Sequence, residues 1–120
     1  MTLSTINGHL HNSANLKISE KAFQQAVTDL AGYAGWALQY HTLNSRGSTA
    51  GFPDLVLLRP PELIMVELKA EKGRVSVAQW EWLEQLGLCG VEVYCWRPSD
   101  WPEVEARLTA PRPTPIALAA

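Results

Sequence analysis

Two short apolar runs, residues 52–58 and 63–69, constrain this chain more than any other feature. Each is rich in Val, Ile and Leu and reads as a buried strand. Between them stands Arg59-Pro60-Pro61-Glu62, a turn signal, so the two runs are expected to form an antiparallel hairpin. With 59–62 as the loop, Leu58 pairs with Leu63 and Leu57 with Ile64. Carried back, that register sets Asp54 opposite Glu67. Side chains alternate along a strand, so Lys69 shares a face with Glu67. Two carboxylates and an ammonium then gather at one end of an apolar hairpin. Opposed like charges destabilise a strand pair, and a bound divalent cation offsets that repulsion directly. A slip of one residue would take Glu67 out of the arrangement.

The element order follows from the rest of the chain. Ser19 can cap a helix, and Phe23, Ala26, Val27, Leu30, Ala31 and Ala34 follow at helical spacing on one face. Gly35 is expected to stop it. Residues 36–41 read as a strand ending at His41, for which a structural or substrate-contacting role is expected. A polar loop with two glycines, 42–51, leads to the hairpin and carries Arg46, a plausible phosphate contact. After the hairpin, the charged loop 70–75 carries Lys72 and Arg74, which are placed to meet nucleic-acid phosphates. Ser76 and Gln79 match a capping box, and Trp80, Leu83 and either Leu86 or Gly87 are expected to face the core. Residues 91–96 alternate as a fourth strand, and Ser99 or Asp100 caps a last helix that buries Val104 and Leu108. Trp96 or Trp101 could stack on bases, although core positions suit tryptophans in so small a domain. The order of helix, strand, hairpin, helix, strand and helix predicts an α/β sandwich with a mixed central sheet.

Pro53-Asp54, followed on the next strand by Glu67-x-Lys69, resembles the PD-(D/E)xK nuclease signature. The wider run includes Gly51-Phe52-Pro53-Asp54-Leu55, Val66-Glu67-Leu68-Lys69-Ala70, Gly73-Arg74-Val75-Ser76, Gln79-Trp80-Glu81-Trp82-Leu83, Gly90-Val91-Glu92-Val93-Tyr94 and Arg97-Pro98-Ser99-Asp100-Trp101. This series is similar to the VRR-NUC branch of that superfamily in its small stand-alone form, over about residues 20–108. The resemblance implies a restriction-endonuclease-like α/β core and a metal-dependent DNA endonuclease. It further implies structure-selective cutting, such as Holliday-junction resolution, by a homodimer with paired active sites. A phage or bacterial origin would fit, with action in the bacterial cytoplasm. The same resemblance places Glu20 of the first helix at the edge of the metal site. Read from the residues alone, Glu20 equally serves the helix N-terminus electrostatically. It also points Gln79 toward the active site, in competition with its capping role.

Composition limits the alternatives. With 10 Lys and Arg against 12 Asp and Glu, the net charge is −2, so nucleic-acid binding is not written into the overall balance. Locally, Arg46, Arg59, Lys69, Lys72 and Arg74 fall in the segment around the carboxylates. Cys89 and Cys95 have no metal or redox spacing and read as small core residues of a reduced cytoplasmic protein. No signal peptide or membrane span is expected. The expected organisation is a flexible arm at 1–17 holding His9 and His11, the domain at 18–108, and a Pro- and Ala-rich tail at 109–120.

Asp54 and Glu67 are hard oxygen donors that suit Mg²⁺ or Mn²⁺, with the backbone carbonyl of Leu68 as a further ligand. Lys69, beside two carboxylates, should stay protonated and act electrostatically. Two other classes compete. One is a nucleic-acid-binding module of the same fold that has lost catalysis, against which the intact Asp54, Glu67 and Lys69 argue. The other is a carboxylate-pair glycoside hydrolase, which leaves Lys69 without a role.

Overall fold

A computed structural model of the chain describes residues 16–42 and 49–115. Four strands form one mixed sheet in sequence order: β1 (Leu38–His41), β2 (Leu55–Arg59), β3 (Glu62–Leu68) and β4 (Glu92–Trp96). The first two pairings are antiparallel and β3 runs parallel to β4. Helix α1 (Glu20–Tyr33) precedes the sheet, α2 (Val77–Leu88) makes the crossover to β4, and α3 (Trp101–Leu108) closes the domain. This is the α/β architecture expected from the sequence.

Helix α1 starts where Ser19, in an extended conformation, accepts a hydrogen bond from the Ala22 N–H at 3.0 Å. Its apolar stripe, Phe23, Ala26, Val27, Leu30 and Ala31, is buried. Gly35, at φ +94°, ends it, and the Trp36 N–H returns to the Ala31 carbonyl. The stripe joins a core made of Leu55, Leu57, Ile64, Val66 and Leu68 from the hairpin and Trp101, Val104 and Leu108 from α3. Trp36 enters this core instead of β1, which begins two residues later. Trp96 and Trp101 are buried there as well, so neither is available to stack on a base.

The hairpin has the expected register, with Leu58 opposite Leu63, Leu57 opposite Ile64 and Leu55 opposite Val66. It is longer at the turn than the sequence suggests. Arg59 and Glu62 also pair, which leaves Pro60-Pro61 as the turn, with a cis peptide bond between them. Arg59 is buried, so its donors need internal partners. It bonds Glu62 and the carbonyls of Ala34, Leu108 and Ala110, with its guanidinium 4.6 Å from the Trp36 ring centre. Arg59 therefore belongs to a structural cluster at the far end of the hairpin from Asp54 and Glu67. It is no part of a basic surface around them. Arg112 in turn reaches the Pro60 carbonyl, so the start of the tail lies across this turn.

The other sheet face is only partly covered. Leu38, Tyr40, Val56, Leu58, Leu63 and Met65 share it, because each pairs in register with another of the set. Helix α2 lies over the β4 side, and Leu83 is its one buried residue. Leu38 and Tyr40 consequently remain 65% and 57% exposed. Trp80 is also exposed, at 55%, where a core position was expected. Cys95 is half-buried, whereas Cys89, just past the end of α2, is exposed and not a core residue.

Candidate active site

Asp54 stands immediately before β2, in a segment clasped from two sides. On one side, Thr42, the residue after β1, donates its N–H to the Asp54 carbonyl at 2.8 Å and its hydroxyl to the Pro53 carbonyl at 2.6 Å. On the other, residues 50–52 are pressed onto α2. The Trp82 indole N–H donates to the Ala50 carbonyl at 3.2 Å, and the Trp82 and Phe52 rings meet edge-to-face at 5.2 Å. Gly51 lies so close to α2 that a Cβ there would sit 2.5 Å from the Ala78 carbonyl carbon. Its φ of +89° also favours glycine. This clasp aims the Asp54 side chain at β3, where Oδ2 accepts the Leu68 N–H at 2.8 Å.

Glu67 is the penultimate residue of β3, on the face opposite the main core, and is 1% exposed. Its Oε2 accepts a hydrogen bond from the Gln79 side-chain amide at 2.9 Å and faces the Lys69 ammonium at 3.5 Å. Its Oε1 is buried without a hydrogen-bond partner. Burial, and then the neighbouring Asp54 carboxylate, push the Glu67 carboxyl up to about 8, with Lys69 opposing. Cys95 is paired beside Glu67 on β4, and burial raises its thiol too.

Gln79 caps its helix and at the same time bonds Glu67, so capping does not keep it from the carboxylate. Its Oε1 accepts the Ser76 N–H at 2.8 Å while its own N–H donates to the Ser76 hydroxyl at 3.1 Å, which completes the capping box. The free amide hydrogens then point at Glu67. The start of α2 is thus bonded to the carboxylate it faces.

The remaining sequence candidates fall around this cluster. Leu68 lies between Glu67 and Lys69, with its side chain in the core and its N–H on Asp54. Lys72 and Arg74 are exposed on the loop after β3. That loop is organised by Arg97, which the sequence places in the run resembling the family but to which it assigns no role. One guanidinium nitrogen of Arg97 donates to the carbonyls of Ala70, Glu71 and Gly73 at 2.9, 3.1 and 2.7 Å. Its signals in the sequence are its place directly after a strand and its membership of the Arg97-Pro98-Ser99-Asp100-Trp101 segment. Glu20 is exposed in the first turn of α1 and bonds to no described residue. One turn further on, Gln24 meets His41 at 2.7 Å. His41 pairs with Leu55, which puts that contact on the α1 face of the sheet, opposite Glu67. Arg46, like His9 and His11, lies outside the described residues.

The site's chemistry suits a hard divalent cation. Glu67 Oε1 is buried without a hydrogen-bond partner and the Asp54 carboxyl group is its close neighbour, and a divalent cation such as Mg²⁺ or Mn²⁺ takes oxygens of this kind as the carboxyl gives up its proton. No group of three His, Cys, Asp or Glu gathers among the described residues. A two-carboxylate set fits Mg²⁺, which commonly takes one or two carboxylates and completes its shell with water and substrate phosphate.

A mixed sheet bearing Pro53-Asp54 and Glu67-x-Lys69 at one end defines a nuclease-type α/β domain. The model of the VRR-NUC domain matches residues 9–100, and the chain belongs to that family. Membership implies a nuclease-type function acting on nucleic acid. Comparison with curated proteins and with solved structures gives no match. No helix among the described residues is long and apolar enough to cross a membrane.

Proposed function

We propose that this domain is a divalent-metal-dependent DNA endonuclease that hydrolyses phosphodiester bonds in branched DNA, such as four-way junctions, as a homodimer. One observation carries the reading: Asp54 and the buried Glu67, whose Oε1 has no hydrogen-bond partner, come together beside the Lys69 ammonium. Asp54 and Glu67 would hold Mg²⁺ or Mn²⁺, with the Leu68 carbonyl as a candidate third donor. When bound, the ion supplies Lewis acidity toward the scissile phosphate. The Leu68 N–H holds Asp54 in place, and Gln79 orients Glu67. Lys69 offsets negative charge that grows on the phosphate as water adds to phosphorus and the bond to the leaving oxygen breaks. Lys72 and Arg74 stand on a loop stiffened by Arg97 and meet backbone phosphates. The uncovered apolar face around Leu38, Tyr40 and Leu63 supports pairing of two copies, as cutting both strands of a junction requires.

The test is purified protein with Mg²⁺, Mn²⁺ or EDTA against single-stranded, duplex, flap and four-way-junction DNA. Cleavage that depends on metal and prefers branched substrates is expected. Absence of cleavage on all four, in either metal, would defeat the catalytic reading and leave a nucleic-acid-binding module.

A further inference from the structure

We infer that the cleft between α2 and β4 is a nucleobase site in which the exposed Trp80 stacks on an unpaired base beside the cut. This rests on the nuclease reading above and extends it to how the substrate is gripped.

The cleft measures about 350 Å³ and is lined by Trp80, Leu83, Glu84, Val93, Tyr94 and Cys95. It opens directly beside the carboxylate cluster. Its floor residue Cys95 pairs with Glu67 across the parallel strands, and in-register residues point to one face. Its wall residue Trp80 follows Gln79, whose amide bonds Glu67. A nucleotide whose phosphate sits at Glu67 and Lys69 would therefore have its neighbours' bases within reach of this cleft.

The chemistry selects a base rather than a phosphate. Trp80 offers an indole face that no described ring covers, and Val93 and Leu83 supply an apolar floor. Glu84 is exposed and bonds to no described residue. A carboxylate repels phosphate but accepts hydrogen bonds from the exocyclic amino groups of adenine, cytosine or guanine. Stacking needs a base that has left its duplex, which a single-stranded flap provides outright and a junction provides when its branch point opens on binding. Among the tryptophans with described surroundings, Trp36, Trp96 and Trp101 are fully buried and Trp82 is engaged with Ala50 and Phe52. Trp80 alone of these presents an open face.

The experiment measures binding of fluorescently labelled branched DNA, with Ca²⁺ replacing Mg²⁺ to suppress cutting, alongside cleavage in Mg²⁺. Three proteins are compared: wild type, Trp80→Leu and Trp80→Phe. Each is tested on the cleaved substrate and on versions lacking the base at the positions flanking the cut. Trp80→Leu keeps the apolar bulk and removes the ring, and should weaken binding roughly 5- to 150-fold, whereas Trp80→Phe should stay within a few-fold of wild type. Removing the base that stacks should weaken wild type by a similar factor and leave Trp80→Leu almost unaffected. Trp80→Leu binding equal to wild type, or a loss the same with and without the flanking bases, overturns the inference. So does a changed oligomeric state in Trp80→Leu, which would make the cleft a contact between copies. Wild type that cuts beside an unaffected Trp80→Leu sinks this inference alone. Wild type that neither cuts nor binds any of the substrates sinks the nuclease reading with it.

Discussion

Glu67→Gln should stabilise the metal-free protein above about pH 6 and abolish its response to metal. A carboxyl pushed up to about 8 from an ordinary value of 4.5 keeps its proton in the folded chain while the unfolded chain has lost it. Between those values the native state binds one more proton, so stability falls as pH rises. A fully developed one-proton difference amounts to about 1.4 kcal/mol per pH unit. Below the lower value both states are protonated, and above the upper one both are ionised, so Glu67 contributes no slope outside that window. For a domain near this size the slope corresponds to a melting-temperature loss of roughly 6–11 °C per pH unit, before other groups are counted. Glutamine mimics the protonated carboxyl and can still accept the Gln79 amide. Wild type and Glu67→Gln should therefore melt together near pH 4.5–5, and the variant should lead increasingly toward pH 8. The assay is thermal melting in EDTA from pH 4.5 to 8.5, repeated with millimolar Mg²⁺ or Mn²⁺. Metal should raise the wild-type melting temperature, most at high pH where the carboxylate is available, and leave the variant unchanged. Parallel curves for the two proteins across this range would refute the argument, because they would mean Glu67 titrates normally.

Lys69→Ala should cut the cleavage rate on the order of 100-fold or more while the fold survives, and a rate within a few-fold of wild type removes Lys69 from the chemistry. Gln79→Ala should lose about 1 kcal/mol of stability from the cap and also lose turnover at a temperature where the variant is fully folded. Loss of stability alone would show that its bond to Glu67 is idle. Gly51→Ala should cost roughly 1–3 kcal/mol, since alanine is strained at positive φ and has no room against Ala78, and a melting temperature unchanged from wild type would contradict the clasp. Sedimentation should show a dimer at micromolar concentration that Leu38→Glu dissociates, and a monomeric wild type with and without junction DNA leaves the pairing unsupported.

The hairpin is legible in the sequence because two constraints agree on it. A proline pair sets the turn, and the alternation of Leu57, Ile64 and Val66 sets the face, so register brings Asp54 and Glu67 to the same end of the hairpin, while the clasp that aims Asp54 is not written in that pattern. The capping box is legible for a similar local reason. What escapes is whatever depends on how α2 seats on the sheet. Its apolar residues Val77, Trp80, Trp82, Leu83 and Leu88 lie on several sides, so the pattern does not say which one is inward. Leu83 takes that place, and Trp80 is left outside. Arg59 and Arg97 escape for another reason. Both act by collecting carbonyl oxygens from segments distant in the chain, and a carbonyl carries no mark in the sequence. Glu20 shows the limit from the other side, since helical spacing puts it on a surface without saying what that surface meets.

The clasp around residues 50–54 fixes the aim of Asp54 from two independent elements. Thr42 is tied to Pro53 and Asp54 at one end, and residues 50–52 are tied to α2 at the other. Asp54 is thus held from the sheet and from the helix at once, so a change that loosens either anchor alone leaves the other to keep its carboxylate turned toward β3.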